Sequence, residues 1–216
     1  MEEMLLFFIY ATAFIWIMLL AEFSYRKLNF NTLITRNIVQ ILSGIVALSA
    51  PAHNMSISVA LALTVLFSLI FYFSKKIHMF PAIFNIDRES YGELFFAWSS
   101  FLLFLLYKYT GNVLYFYLPL STVVFADSTA ALIGKYFPGK NFKYINKDKT
   151  YGGSLAFFIV TFLLSFYYFS VMNISHLFLL SLINALILTL IEAVSVRGWD
   201  NFFISAFSAV FLYFIQ

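Results

Sequence analysis

A chain of 216 residues that is 62% hydrophobic and 11% charged, with a mean hydropathy of +0.90, is no ordinary soluble domain, since those carry charge on about a quarter of their residues. It reads as an integral membrane protein. The lack of cysteine excludes disulfides and thiolate metal sites, and with a net charge of only +3 no nucleic-acid partner is expected.

Eight apolar runs follow one another, at residues 4–21, 33–50, 55–73, 94–107, 113–134, 154–172, 177–196 and 202–215. Several approach the roughly 20 residues that a helix needs to cross the hydrocarbon layer. The fourth and eighth are short. The expected architecture is therefore one all-α polytopic domain over residues 1–216, a bundle of about eight transmembrane helices, with seven as the alternative. Glu2 and Glu3 precede the first run, and no small-residue cleavage site follows it, so it reads as a retained helix rather than a signal peptide.

The loops alternate in charge. All of the 13 basic residues except Lys108 lie on or beside odd-numbered loops: Arg26, Lys27 and Arg36; Lys75, Lys76 and Arg88; Lys135, Lys140, Lys143, Lys147 and Lys149; and Arg197. By the positive-inside rule these loops are expected in the cytoplasm, with both termini outside. Apart from Glu2 and Glu3 the carboxylates keep to the same side, which suits a metal–phosphate site better than a lipid-headgroup patch. The three histidines, His53, His78 and His176, are loop residues with no catalytic role assigned.

Asp127, near the end of the fifth run, is the first candidate for chemistry. A charge inside a membrane span costs roughly 2.5–3.5 kcal/mol on insertion scales, so its presence points to function. It reads either as a magnesium ligand beside substrate phosphates or as a helix-end carboxylate paired with a lysine of the next loop. Asp127, Ala131 and Gly134 share one helical face, where small residues let a helix or ligand approach.

The loop from Lys135 to Gly153 carries five lysines and ends in Lys149-Thr150-Tyr151-Gly152-Gly153-Ser154. Ser154 is expected to cap the sixth helix, with glycines and free amides open to a phosphate and Lys149 as a point charge. Ser90 and Glu93 have the spacing of a capping box, and Glu93 reads alternatively as a metal ligand or base. Glu192 and the turn Arg197-Gly198-Trp199-Asp200-Asn201 complete the polar set, with Asp200 either an N-cap or, with Asn201, an oxygen ligand facing a nucleotide. Neither a P-loop nor a dinucleotide-binding glycine motif occurs, which argues against a standard nucleotide-binding fold.

Four pieces in this order carry a resemblance: Arg88-Glu89-Ser90-Tyr91-Gly92-Glu93-Leu94-Phe95-Phe96; Ala126-Asp127-Ser128-Thr129-Ala130-Ala131-Leu132-Ile133-Gly134-Lys135; Lys149 to Ala156; and Glu192 with Gly198-Trp199-Asp200-Asn201. Together they resemble the phytol/dolichol (polyprenol) kinase family, membrane enzymes that phosphorylate isoprenoid alcohols with CTP or a related nucleotide. The likeness runs from about residue 26 onward. The Asp…Gly…Lys-Thr portion also resembles, more distantly, the phosphatidate cytidylyltransferases. Asn37 and Gln40 stand where the kinase family typically has Lys and His, and Gly152 where it usually has Glu.

The resemblance implies a magnesium-dependent transfer of the γ-phosphoryl of CTP, or another NTP, to a membrane lipid alcohol such as phytol or a polyprenol. The expected nucleotide contacts are Lys135, Lys140, Lys143, Lys149, Thr150, Gly152, Gly153, Ser154 and Asn201. The expected metal ligands are Asp127, Asp200 and Glu192, with Asp127, Glu93 and Lys149 catalytic and Glu93 as the base. The expected location is a prokaryotic inner membrane, with the active face cytoplasmic. The alternatives are cytidylyl transfer to a phosphorylated lipid, a catalytically impaired relative, and a non-enzymatic transporter or scaffold; the last predicts polar residues through the mid-plane rather than at one face.

Overall fold

A computed structural model describes residues 1–77, 79–84, 90–137, 139–142 and 146–215, and it is predominantly helical. His78, Arg88, Glu89 and Lys143, named above, lie outside the described residues, as does the side chain of Lys147. Each apolar run becomes a helix. In chain order these are α1 (Glu2–Lys27), α2 (Thr32–Leu48), α3 (Ile57–Ile77), a single turn α4 (Pro81–Phe84), and α5 (Gly92–Thr110). Then comes a continuous helix, Leu114–Tyr136, made of α6 (Leu114–Ser121), a π-helical segment (Thr122–Asp127) and α7 (Ser128–Tyr136). A short antiparallel hairpin, β1 (Asn141–Phe142) and β2 (Asn146–Thr150), leads to α8 (Tyr151–Val171), α9 (Leu177–Val194) and α10 (Asp200–Ile215).

Five of these are long and apolar enough to cross a bilayer: α1, α3, Leu114–Tyr136, α8 and α9. Helices α2 and α10, at 17 and 16 residues, are shorter. Large apolar side chains such as Trp16, Phe73, Leu163, Leu190 and Phe214 face outward, where water would penalise them and lipid does not. This is a membrane protein.

Leu114–Tyr136 is the axis of the bundle. In its apolar window 61% of residues are buried, against 28–33% in the other four long helices, so protein surrounds it where lipid surrounds them. On one side α1, α2, α3 and α5 pack a core that includes Met18, Phe67 and Phe104; on the other, α8, α9 and α10 pack around Phe157, Leu188 and Ile204. Pro119 removes one backbone donor, and the helix widens into the π-turn that ends at Asp127.

Gly44 of α2 meets this segment. A Cβ there would collide with both methyls of Val124, which is fully buried in the π-turn. Gly44→Ala is therefore expected to destabilise by roughly 1–3 kcal/mol, the usual scale of overpacking, seen as a lower thermal midpoint in detergent.

The first, third, fifth and seventh connections meet at one end. Asn31 Nδ2 lies 3.5 Å from Tyr136 Oη, Tyr91 N donates to Arg197 O at 3.2 Å, and Lys149 reaches Asp200 at 3.1 Å. The opposite end holds a separate small cluster, with Tyr10 Oη 2.6 Å from Ser49 Oγ and 2.9 Å from His53 Nδ1.

Candidate active site

Lys149 is the centre of the site. It is the penultimate residue of β2, and the hairpin projects its ammonium between the axial helix, α9 and α10. Nζ lies 2.5 Å from Glu192 Oε1, 3.1 Å from Asp200 Oδ2 and 3.9 Å from Asp127 Oδ1. Glu192 is almost wholly buried, at 2% side-chain exposure, and its second oxygen accepts from Ser154 Oγ at 3.0 Å. A carboxylate so enclosed is tolerable only when paired and hydrogen-bonded, and both conditions are met. Burial works against the Lys149 ammonium, but Asp200, Glu192 and Asp127 together outweigh it and hold the pKa above the ordinary lysine value. A raised lysine pKa keeps the pairing fully present below the ordinary value and loses it only as pH climbs through the raised one. Lys149 thus stands as the cation of the cluster at neutral pH.

Asp127 is oriented from the other side. Gln40 of α2 donates to Asp127 Oδ2 at 3.1 Å and to Val123 O, within the π-turn, at 2.9 Å. The widened turn and the carboxylate at its end are therefore pinned by one amide. Asn37, one turn earlier, is buried and donates to Leu33 O within its own helix.

Four expectations need correcting. Thr150, not Ser154, caps α8: its Oγ1 accepts from Gly153 N at 3.0 Å, while Ser154 sits inside the first turn on Glu192. Ser90 and Glu93 form no capping box. Ser90 Oγ accepts from Gly92 N, and Glu93 Oε1 pairs with Arg36 Nη2 at 2.8 Å. The small-residue face that packs uses Ala130 and Gly134, because a Cβ on Gly153 would press on Ala130 O and Gly134 Cα; Ala131 is exposed. Asp200 is the first residue of α10 rather than its cap, with Oδ1 accepting from Asn201 N at 3.2 Å.

Of the residues singled out from the sequence, Asp127, Lys149, Ser154, Glu192 and Asp200 come together, with Thr150 and Gly153 holding the hairpin-to-helix joint. The ion-pair alternative for Asp127 is realised through Lys149. Lys135 and Lys140 are exposed and make no ion pair with these carboxylates, and Gly152 is half-buried. Among the described residues no group of three or more His, Asp or Glu side chains is arranged to hold a metal ion; the three carboxylates converge on an ammonium instead.

Glu93 and Asn201 belong to an adjoining cavity. Asn201 Nδ2 donates to Gly92 O at 2.8 Å, and Gly198, at φ +88°, leaves room for no Cβ against the Gly92 backbone, so the seventh connection is clamped onto the start of α5. The cavity, about 150 Å³, lies between α1, α2, α3 and α5. Its polar end is formed by Arg36, Gln40, Glu93 and Asn201, and the rest is mostly apolar, with Ser43, Thr64 and Ser100 as scattered hydroxyls. Gln40 therefore touches both the cavity and the Asp127 carboxylate. Arg36 and Gln40 were not picked out as site residues from the sequence. The visible signal was that they lie on one face of α2, four residues apart, beside an apolar stretch.

Comparison with models of known families, with curated proteins and with solved structures gives no match.

Proposed function

We propose that the protein is a lipid kinase that transfers the γ-phosphoryl of CTP, or another NTP, to the hydroxyl of a membrane lipid alcohol, as the resemblance to phytol/dolichol kinases implies. The observation that carries this reading is the adjacency of two unlike compartments: an apolar cavity with a polar mouth, and a cluster of one lysine and three carboxylates, joined through Gln40. The first suits a lipid with a single polar group. The second suits a polyphosphate and its counter-ion.

In this reading the chain crosses the bilayer eight times. The basic connections face the cytoplasm of a prokaryotic inner membrane, and both termini lie outside. The convergence of the odd-numbered connections at one end supports that alternation. The nucleotide approaches from the cytoplasm, and Lys149 turns from the carboxylates to the phosphates. Asp127, Glu192 and Asp200 then form a hard-oxygen set suited to magnesium, which would neutralise charge on the phosphates. The alcohol oxygen bonds to the γ-phosphorus as the bridging oxygen leaves with the nucleoside diphosphate, and the hydroxyl proton passes to Glu93. Little covalent work falls to the protein; positioning and charge neutralisation dominate.

Purified protein in detergent, given γ-labelled CTP or ATP and a panel of phytol, farnesol, polyprenols and diacylglycerol, is expected to yield a labelled lipid monophosphate and unlabelled nucleoside diphosphate. Release of pyrophosphate with a nucleotide-bearing lipid would replace the kinase by the cytidylyl-transfer reading. Absence of either product across the panel would reject both.

A further inference from the structure

The cavity has a definite length and a closed end, and both bear on which alcohol it takes. Three helices that line it mark the same extent: Arg36 to Ala47 on α2, Glu93 to Phe104 on α5, and Ala60 to Phe71 on α3. Each pair is 11 residues apart, which at about 1.5 Å per residue is roughly 16 Å. At the end away from Glu93 the walls are Tyr10, Ala50 and Met55, exposed by only 3–5%. Tyr10 is fixed there by its bonds to Ser49 and His53. A hydrocarbon core of about 30 Å is filled by two leaflets, so roughly 16 Å is the depth of one ordinary lipid tail.

The polar end carries an unmet acceptor. Asn201 is 6% exposed, and with Nδ2 committed to Gly92 O its Oδ1 faces no donor among the described residues. A buried carbonyl oxygen without a partner is costly, and a hydroxyl at this end of the cavity would satisfy it.

We infer that the cavity binds a single-chain lipid alcohol about one leaflet long, with its hydroxyl donating to Asn201 Oδ1 while no nucleotide is bound and turning to Glu93 only for transfer, and with its tail stopped at Tyr10, Ala50 and Met55. Two-chain diacylglycerol and long polyprenols are then excluded by the cavity's volume, about 150 Å³, and its blind end. The inference rests on this cavity being the alcohol site proposed above, but its test needs neither nucleotide nor transfer.

The experiment is thermal stabilisation of the detergent-purified full chain by straight-chain alcohols from octanol to eicosanol, together with farnesol, a long polyprenol and diacylglycerol. Stabilisation is expected to rise with length, peak near dodecanol, and fall away for the polyprenol and diacylglycerol. Ala47→Phe, which fills the deep half of the cavity, is expected to move the peak to shorter chains. Ala60→Phe, on the facing helix, does the same and stands in if the first variant does not fold. The chain-matched methyl ether, which cannot donate to Asn201, is expected to bind roughly tenfold more weakly, the scale of one buried acceptor left unmet. A long polyprenol stabilising as well as dodecanol, a peak unmoved in a folded filled-cavity variant, or an ether equal to its alcohol would each overturn the inference. A length-dependent profile without any phosphoryl transfer would sink the kinase reading and leave the cavity assignment standing. Transfer with a flat length profile would do the reverse.

Discussion

Asp127→Asn is expected to abolish the proposed phosphoryl transfer, by roughly 10³-fold or more, while leaving the protein folded. The substitution keeps size and hydrogen-bonding capacity, so the amide can go on meeting Gln40 and the π-turn stays pinned. What disappears is a negative charge at the point where the axial helix, β2 and α10 converge. Of the three carboxylates around Lys149, Asp127 is the one farthest from the ammonium, at 3.9 Å against 2.5 and 3.1 Å. It is therefore the least engaged in holding the lysine and the most available to a counter-ion on a phosphate. In the proposed reading the carboxylate acts by holding the magnesium that would offset charge on the phosphates, and losing a charge-neutralising element costs on the order of 10³–10⁵ in phosphoryl transfer. The check is the γ-label assay on Asp127→Asn, with its detergent melting curve as the fold control. Transfer retained within tenfold of the parent would remove Asp127 from the machinery.

How much of this was legible in the residues follows from which interactions are local. Apolar runs become helices because no other open-edged structure satisfies its backbone in lipid, so the helix order and the central place of residues 113–134 could be read directly. Alternating loop charge already implied that Asp127, Lys149, Glu192 and Asp200 share an end. Their convergence was thus within reach of sequence reasoning. A lysine of the next loop as partner of Asp127 was one of its two readings; that the same Lys149 would also hold Glu192 and Asp200, where a magnesium ion was expected, was not within reach. It depends on how deep the hairpin sets one side chain, a matter of packing between Gly134, Gly153 and Thr150 rather than of spacing.

The π-turn was equally hidden. One extra residue per turn leaves no mark on hydropathy, yet it determines where Asp127 points. Gln40 could be seen only as a departure from a family pattern, because its partner is 87 residues away. Ser154 was a reasonable cap by type, but Thr150 has the extended backbone a cap needs, at φ −126° and ψ 152°, and it takes the position. The cavity exists only between helices remote in sequence, and no single stretch announces it.

Removing the lysine separates the two accounts of the carboxylate cluster most sharply. Lys149→Met removes the ammonium that Glu192, Asp200 and Asp127 share, and Glu192 has almost no access to water. Breaking a buried ion pair by deleting one partner costs about 3–5 kcal/mol, because the other charge is left uncompensated. Lys149 itself retains 16% side-chain exposure, which places the expected loss near the lower end, about 3 kcal/mol. Lys149→Arg, which keeps the charge, should lose far less. If the three carboxylates serve a cation in the working enzyme, millimolar magnesium should recover much of the stability of Lys149→Met, whereas the parent, whose ammonium already fills the position, should respond little. Melting curves in chelator and in magnesium read both effects. If Lys149→Met is destabilised and magnesium does nothing for it, the cluster is a structural clamp, and the proposed metal role of Asp127, Glu192 and Asp200 falls with it. If the midpoint instead rises with magnesium in the lysine variant alone, the ammonium and the metal ion are alternative occupants of one site.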